Sequence, residues 1–433
     1  MSRAEGPQRL AASDHGLQRT DVDPNAIDVV ERLIDAGFEA FLVGGCVRDL
    51  LLGKAPKDFD VATNATPEEV KQVFRRSRLV GRRFRIAHVR YGRHIIEVST
   101  FRKREADDED ERRHAVSGLI LRDNVWGTLD EDAFRRDFTI NALYYDPDTE
   151  EIIDFVNGLD DLEHKRLRFI GEAEVRLRED PVRILRAVRF HAKLGFSLDP
   201  TIEQAIPAMA EHLREIPPAR LFDEVCKLFV SGRSLEAWEY LADTRLCWAL
   251  FPCTPPADGF AKLAMRNTDL RISQDKPVTP GFLLAVLLWP DYLARCSELA
   301  ESMKPIEARA SAAGATLAEE QEIIAIPRRF SQFIRDVWAL QIHLESRRPR
   351  AVDRAFGHER FRAAYDFLVL RAEAGEPVGD QAQWWTTFQE QDPSGKQAMI
   401  DGLQDKPGGE AATGKRRRRR RRRKPQDAGD SQG

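Results

Sequence analysis

Several things are scarce in this sequence, and each absence closes a route. The longest unbroken apolar run is Phe282–Trp289, eight residues between Gly281 and Pro290. A membrane-crossing helix needs about 20, so no membrane span is expected. Cysteine is rare: five residues, at 46, 226, 247, 253 and 296, with no C-x-x-C. That odd, scattered set predicts the reduced thiols of a cytoplasmic protein, mostly core fillers, and neither a disulfide framework nor a zinc site. No G-x-G-x-x-G and no Walker A pattern occurs, which removes dinucleotide-binding and P-loop readings. Met1–Thr20 is polar throughout, so a secretory leader is not expected.

What is present is a charged, globular chain of 433 residues, 42% hydrophobic and 32% charged. That length predicts two or three domains. The net charge of −4 conceals a split. Lys415–Lys424 carries ten positive charges in ten residues, eight of them Arg416, Arg417, Arg418, Arg419, Arg420, Arg421, Arg422 and Arg423. Removing those ten from the 67 basic residues leaves 57 against 71 acidic ones, a balance of −14. Such a run cannot bury itself. It is either a solubilising or targeting tail or a grip on nucleic acid, and its density favours the grip.

Residues 1–22 read as disordered. Asp23-Pro24 is a helix start, with Asp23 as the cap, and Ile27, Val30, Leu33 and Ile34 form the stripe of the helix that follows. Phe38–Val43 predicts a strand, Gly44-Gly45 a turn, and Val47–Leu52 a short helix closed by Gly53. Phe59–Ala62 predicts another strand. Thr66-Pro67-Glu68-Glu69 is a capping box opening a helix to about Phe74. Ile86–Tyr91 and His94–Thr100 predict a hairpin whose Gly92-Arg93 loop suits a type II′ turn. Glu105–Glu111, six acids in seven residues, predicts a solvated loop. Ile152–Val156 and Leu167–Ile170 read as the last strands. Beyond Ala173 the pattern is helical, with breaks near Pro255-Pro256 and Pro277–Pro280, until Gly, Pro, Lys and Arg take over at Gln404.

The chemistry concentrates at Asp58-Phe59-Asp60. Residues two apart on a strand share a face, which would present both carboxylates together, able to hold magnesium with phosphates completing the shell. D-x-D occurs five times here, but only this copy has apolar strand residues around it and a glycine pair just upstream. At Gly44-Gly45 the backbone could approach a triphosphate at the start of a helix, with Arg48 adding a forked phosphate contact. A plain tight connection with a surface arginine is the alternative reading. Arg135-Arg136-Asp137 stands ahead of Phe138–Leu143. Arg183, Arg186 and Arg189 lie three apart behind Glu179-Asp180-Pro181. Periodicity alone reads them as a solvated basic face beside a stripe of Val182, Leu185, Val188 and Ala192.

Four motifs occur in order: L-V-G-G-C-V-R-D at Leu42–Asp49, D-F-D at Asp58–Asp60, R-R-D-F-T-I-N-A-L at Arg135–Leu143, and E-D-P-V-R-I-L-R-A-V-R-F at Glu179–Phe190. Together they closely resemble the class II nucleotidyltransferases of the polymerase-β superfamily, the CCA-adding enzymes and bacterial poly(A) polymerases. Leu79–Val89, Ile216–Glu224, Phe361–Ala372 and the basic tail resemble the poly(A) polymerase branch. The resemblance is dense from about 40 to 195 and reaches, more thinly, to about 390. Glu105–Glu111 departs from the expected pattern outside the motifs.

The resemblance implies an α/β nucleotidyltransferase head, an all-α body and a disordered basic C-terminal tail. The divisions expected are a disordered segment at 1–22, a head at 23–171, a helical neck at 172–255, an RNA-binding body at 256–403 and the tail at 404–433. It implies two magnesium ions at Asp58 and Asp60 and ATP as substrate, with Gly44, Gly45 and Arg48 at the triphosphate. Asp137 would be a third catalytic carboxylate and Arg136 a nucleotide contact, while Asp180, Arg183 and Arg186 would meet the base and phosphates. The residues alone offer Glu97 as a rival third carboxylate. The expected activity is template-independent addition of AMP to RNA 3′ ends, in RNA processing and decay, by a cytoplasmic monomer with RNA-decay partners. The alternatives are a CCA-adding enzyme, disfavoured by Leu79–Val89, the arginine run and the lack of a His-Asp dipeptide, and a non-catalytic RNA-binding protein.

Overall fold

The computed structural model describes residues 6–81, 85–103, 126–255 and 259–403. The readings placed on Glu105–Glu111, on the arginine run and on the 404–433 tail lie outside them.

The head is built on eight strands: β1 (Gln8–Leu10), β2 (Ala40–Val43), β3 (Asp60–Thr63), β4 (Arg78–Val80), β5 (Ile86–Tyr91), β6 (His94–Thr100), β7 (Leu143–Asp146) and β8 (Glu151–Asp154). Their order is β1-β8-β7-β2-β3-β6-β5-β4. Only β3 and β6 run parallel; every other pair is antiparallel. One face of the sheet is covered by helices Pro24–Asp35 and Pro67–Val73, and Val61, Val89, Ile96 and Val98 join that core. Asp23 accepts from the Asn25 N–H, and Thr66 and Glu69 cap each other reciprocally, as anticipated. Of the expected stripe, Ile27, Val30 and Leu33 are buried, but Ile34 is 39% exposed, because the buried arc widens toward Ala26 and Val29 and leaves position 34 at its edge. At the β5–β6 loop Gly92 has φ +61 and Arg93 does not share the positive region, the signature of II′ rather than I′.

The N-terminal segment differs from expectation. Residues 8–10 form β1 on the outer edge of β8, Arg19 Nη1 donates to the Pro147 carbonyl (3.0 Å), and Leu17 and Val22 are buried in the core. A polar composition cannot reveal this, because the partners lie more than 120 residues away. Asp58 also stands outside the strand, which begins at Asp60. The strand expected at Leu167–Ile170 shrinks to β9 (Arg166–Leu167), paired off the main sheet with β10 (Ser197–Leu198). That pair crosses the 171/172 boundary.

From Ala173 to Asp401 the chain is almost wholly helical. One apolar cluster runs continuously from Leu17 in the head to Leu370, and a second, from Leu340 to Phe388, closes the far end. No helix among the described residues is long and apolar enough to cross a membrane. Cys46 and Cys247 are core fillers, whereas Cys253 is exposed.

Candidate active site

Three strands bring titratable groups into one row. Asp60 on β3 pairs in register with Glu97 on β6, and Glu97 pairs with His88 on β5. Neighbours in register share a face, here the face opposite the Val61 and Val98 core. His88 Nε2 lies 3.3 Å from Glu97 Oε1. Burial, then the charges of Glu97 and Asp58, push the Asp60 carboxyl up to about 6, with Arg136 opposing them. Asp58 is exposed one residue ahead of buried Phe59, so the two aspartates do lie near each other although only one is in the strand. Among the described residues no three such groups form a self-sufficient metal cluster. Two hard-oxygen ligands crowded by a third carboxylate fit a magnesium ion whose shell the substrate phosphates complete.

The glycine turn lies beside this row. Gly44 has φ +83 and ψ −127, a backbone conformation essentially restricted to glycine, and its N–H donates to the Leu143 carbonyl on β7 (3.2 Å). A Cβ there would lie 3.7 Å from Arg136 Nη1, so the demand is conformational rather than spatial. The helix Gly45–Leu51 follows, its first N–H groups without intrahelical acceptors. Arg48, expected to fork onto a phosphate, is 3% exposed and already engaged. Its Nη1 donates to Asn141 Oδ1 (2.6 Å), and its Nε and Nη2 donate to Asp49 Oδ1 (2.9 and 2.6 Å).

Asn141 relays this bracing onward. Its Nδ2 reaches Asp137 Oδ1 (3.4 Å), and Asp137 Oδ2 accepts from Arg186 Nε (2.7 Å) on helix Val182–Leu194. Burial alone would raise the Asp137 carboxyl; Arg186 and the Phe138 N–H outweigh it and hold it at about 2. Asp137 therefore ties head to neck. The carboxylate set against Asp60 is Glu97.

Arg136 is anchored from behind. Its Nε and Nη2 meet Asp132 Oδ2 (3.1 and 2.8 Å), and Arg135 holds Asp132 Oδ1. Asp132 is fully buried and also accepts from the Tyr144 hydroxyl (2.8 Å). Burial opposes its ionisation, yet the two arginines hold it well below the usual carboxylate range. The guanidinium of Arg136, thus fixed, lies near both Gly44 and Asp60.

The neck arginines are not a solvated face. Arg183 is 8% exposed, and its Nη1 donates to the Arg176 carbonyl (2.6 Å) and Glu179 Oε2 (3.0 Å). Arg176 in turn donates to the carbonyls of Arg135 and Arg136. Asp180 accepts from Arg220 and caps the Val182 N–H (3.3 Å). Arg189 Nη2 stands 3.7 Å from Glu224 Oε2, and Arg48, Arg186 and Arg189 all surround the Phe190 ring, 4.6–5.6 Å from its centroid. Helical spacing correctly groups these arginines. Glu179, four residues ahead of Arg183, is a partner that helical spacing reaches, but Asp137 and Glu224 are partners periodicity cannot supply. Asn141, Asp132 and Arg176 were not singled out; the first lies inside a quoted motif, and Asp132 belongs to a D-x-D pair set aside for lack of a strand.

Comparison with known proteins agrees with this architecture. A family model for the poly A polymerase head domain matches residues 40–168. One for a probable RNA and SrmB-binding site of polymerase A matches 195–257, and one for the polymerase A arginine-rich C-terminus matches 301–424. Poly(A) polymerase I of Escherichia coli O6:H1 is 43% identical over 92% of this chain and 89% of its own length. Its Haemophilus influenzae counterpart is 42% identical, with 91% of each covered. A CCA-adding enzyme of Lactobacillus helveticus is 42% identical but over only 52% of this chain and 55% of its own. The crystal structure of the Bacillus stearothermophilus CCA-adding enzyme in complex with CTP superposes with a TM-score of 0.58 at 26% identity, covering 84% of this chain and 81% of that one. This chain belongs to the poly(A) polymerase family of nucleotidyltransferases.

Proposed function

We propose a division of labour for the reaction of this nucleotidyltransferase, which adds AMP from ATP to RNA 3′ ends without a template. The RNA 3′-hydroxyl attacks the α-phosphate of ATP, and pyrophosphate leaves. The observation that carries the reading is the in-register placement of Asp60 and Glu97, with Asp58 alongside, facing a glycine turn and the anchored Arg136. Asp58 and Asp60 would hold two magnesium ions, which would supply neutralisation of phosphate charge and lower the pKa of the attacking hydroxyl. Glu97 completes the negative field around that site. Gly44 and Gly45 let the triphosphate approach the helix start, and Arg136 meets its charge from a fixed position. Arg48, Asn141, Asp137 and Arg186 hold the helix start and the neck in one geometry, which is positioning rather than chemistry. Asp180 and Arg183 form the polar edge that reads the adenine base.

The deciding experiment supplies magnesium, an unstructured RNA and one nucleoside triphosphate at a time. Long ladders with ATP alone are expected; addition that stops after C, C and A on a tRNA lacking its end would instead make it a CCA-adding enzyme. Arg416–Arg423 would hold RNA between additions. Truncation after Gly414 should then flatten the log–log salt dependence of RNA affinity by about 3 to 4 and leave the affinity for ATP unchanged. Equal slopes would refute that role.

A further inference from the structure

The head carries a second concentration of arginine, remote from the carboxylate row. Between Glu69 and Glu97 the sequence holds eight arginines and one lysine and no acidic residue, in a body that is otherwise strongly acidic. The fold gathers part of this stretch around a groove of about 390 Å³ at the β4–β5 edge, lined by Arg32, Arg75, Arg76, Ser77, Arg90 and Tyr91 among others. Arg32 frames it, lying 4.4 Å over the Phe74 ring and donating to the Val73 carbonyl (3.1 Å). Tyr91 is turned toward helix Pro24–Asp35, its hydroxyl bonded to Asp28. Val89 and Tyr91 place the groove on the helix-covered side of the sheet, whereas the Arg90 side chain, two residues from His88, faces the other side with His88, Glu97 and Asp60.

Two features separate this groove from an ordinary basic surface. Arg75 and Arg76 are exposed and have no carboxylate or other hydrogen-bond acceptor among the described residues, whereas Arg48, Arg136, Arg183 and Arg186 around the catalytic carboxylates are all paired. The Ser77 hydroxyl is buried with no partner among the described residues, although a buried polar group ordinarily finds one. An acceptor that carries negative charge would satisfy both.

We propose that this groove binds the phosphates of single-stranded RNA upstream of the 3′ end, as a site separate from the catalytic face. The reading rests on the chain's action on RNA. Phe74 is covered by Arg32, so the contact is to backbone phosphate and independent of sequence. RNA reaching it from the carboxylate row would pass round β4, the outermost strand.

The test uses the full chain, unstructured RNAs of about 8 and 30 nucleotides, and a double Arg75→Ala/Arg76→Ala variant. Affinity for the longer RNA at low salt should fall about tenfold or more. Its salt slope should flatten by about 1.4, at roughly 0.7 per lost contact. Extension of the short RNA and the KM for ATP should not change. The corresponding double lysine variant should recover most of the affinity. Ser77→Ala should weaken binding of the longer RNA without lowering thermal stability, since it removes an unsatisfied group. An unchanged slope would overturn the proposal in favour of a protein or other anionic partner, and equal losses on both RNAs would overturn it as a separate site. Failure of the unaltered chain to extend any RNA would refute the polymerase reading and leave the binding measurement standing.

Discussion

The carboxylates of this protein fall into two populations. On the sheet face, Asp58, Asp60 and Glu97 crowd one another, and the Asp60 carboxyl is driven up to about 6. Behind and beside that face, Asp132, Asp137 and Asp180 are each gripped by arginine, from Arg135 and Arg136, Arg186, and Arg220 respectively. Crowded like charges oppose their own ionisation; buried, well-paired ones favour it. In the reading proposed above, the first group awaits a cation and carries the chemistry, while Asp132 and Asp137, already satisfied, hold the geometry; Asp180, equally paired, stands at the edge assigned to the adenine base. In that reading a carboxylate's role follows from what neutralises it rather than from the motif in which it stands.

Substitutions can break this distinction. Asp60→Ala should slow nucleotide addition by thousands-fold or more, about 4 kcal/mol or above in the barrier, while the denaturation midpoint holds or rises. Near-normal turnover in a folded variant would remove Asp60 from the chemistry. Asp132→Ala should do the reverse in kind. Leaving two arginines without their buried partner should cost about 3–5 kcal/mol of stability, read by chemical denaturation, and a loss under 1 kcal/mol would contradict its anchoring role.

Asp137→Asn sharpens the comparison through pH. The native carboxyl, held at about 2, stabilises the fold at neutral pH. That contribution, roughly 2 kcal/mol, fades as pH falls through 4 toward 2. The variant should be less stable at pH 7 and show a flatter Tm profile between about pH 5 and 3; parallel profiles would exclude the ion pair as its cause. Glu97→Gln should slow addition with no loss of stability, and if Asp137→Asn slowed it more at equal stability, Asp137 would be the third catalytic carboxylate after all. The smallest effect belongs to Arg183→Ala: preference for ATP over the other nucleotides should relax by about tenfold in single-nucleotide assays. Uniform slowing with the preference intact would deny Arg183 a part in reading the base.

Local signals in the sequence were reliable where local physics decides. The hairpin Ile86–Tyr91 and His94–Thr100 occupies its anticipated residues, and the Asp23 and Thr66 caps hold the bonds their residue types suggest. Asp58 and Asp60 were legible as a pair through the apolar residues around them. Elements defined by distant partners were not. β7 is buried along Leu143, Tyr144 and Tyr145 without alternation, and β1 is three polar-flanked residues whose partner strand lies far along the chain. The choice between Glu97 and Asp137 likewise depends on strand register, which no motif encodes.

The pairing of Gln8 with Asp154 also bears on how the molecule is made. Synthesis proceeds at about 5–20 residues per second, so roughly 7 to 30 s separate the appearance of the two partners. Throughout that interval β1 has nothing to join. Once β8 emerges, it is an open edge until β1 returns to cover it, and an uncovered edge is a template for pairing between chains. β1 is thus among the last of the head's strands to be placed, and the head is most prone to self-association on the ribosome just before β1 covers β8.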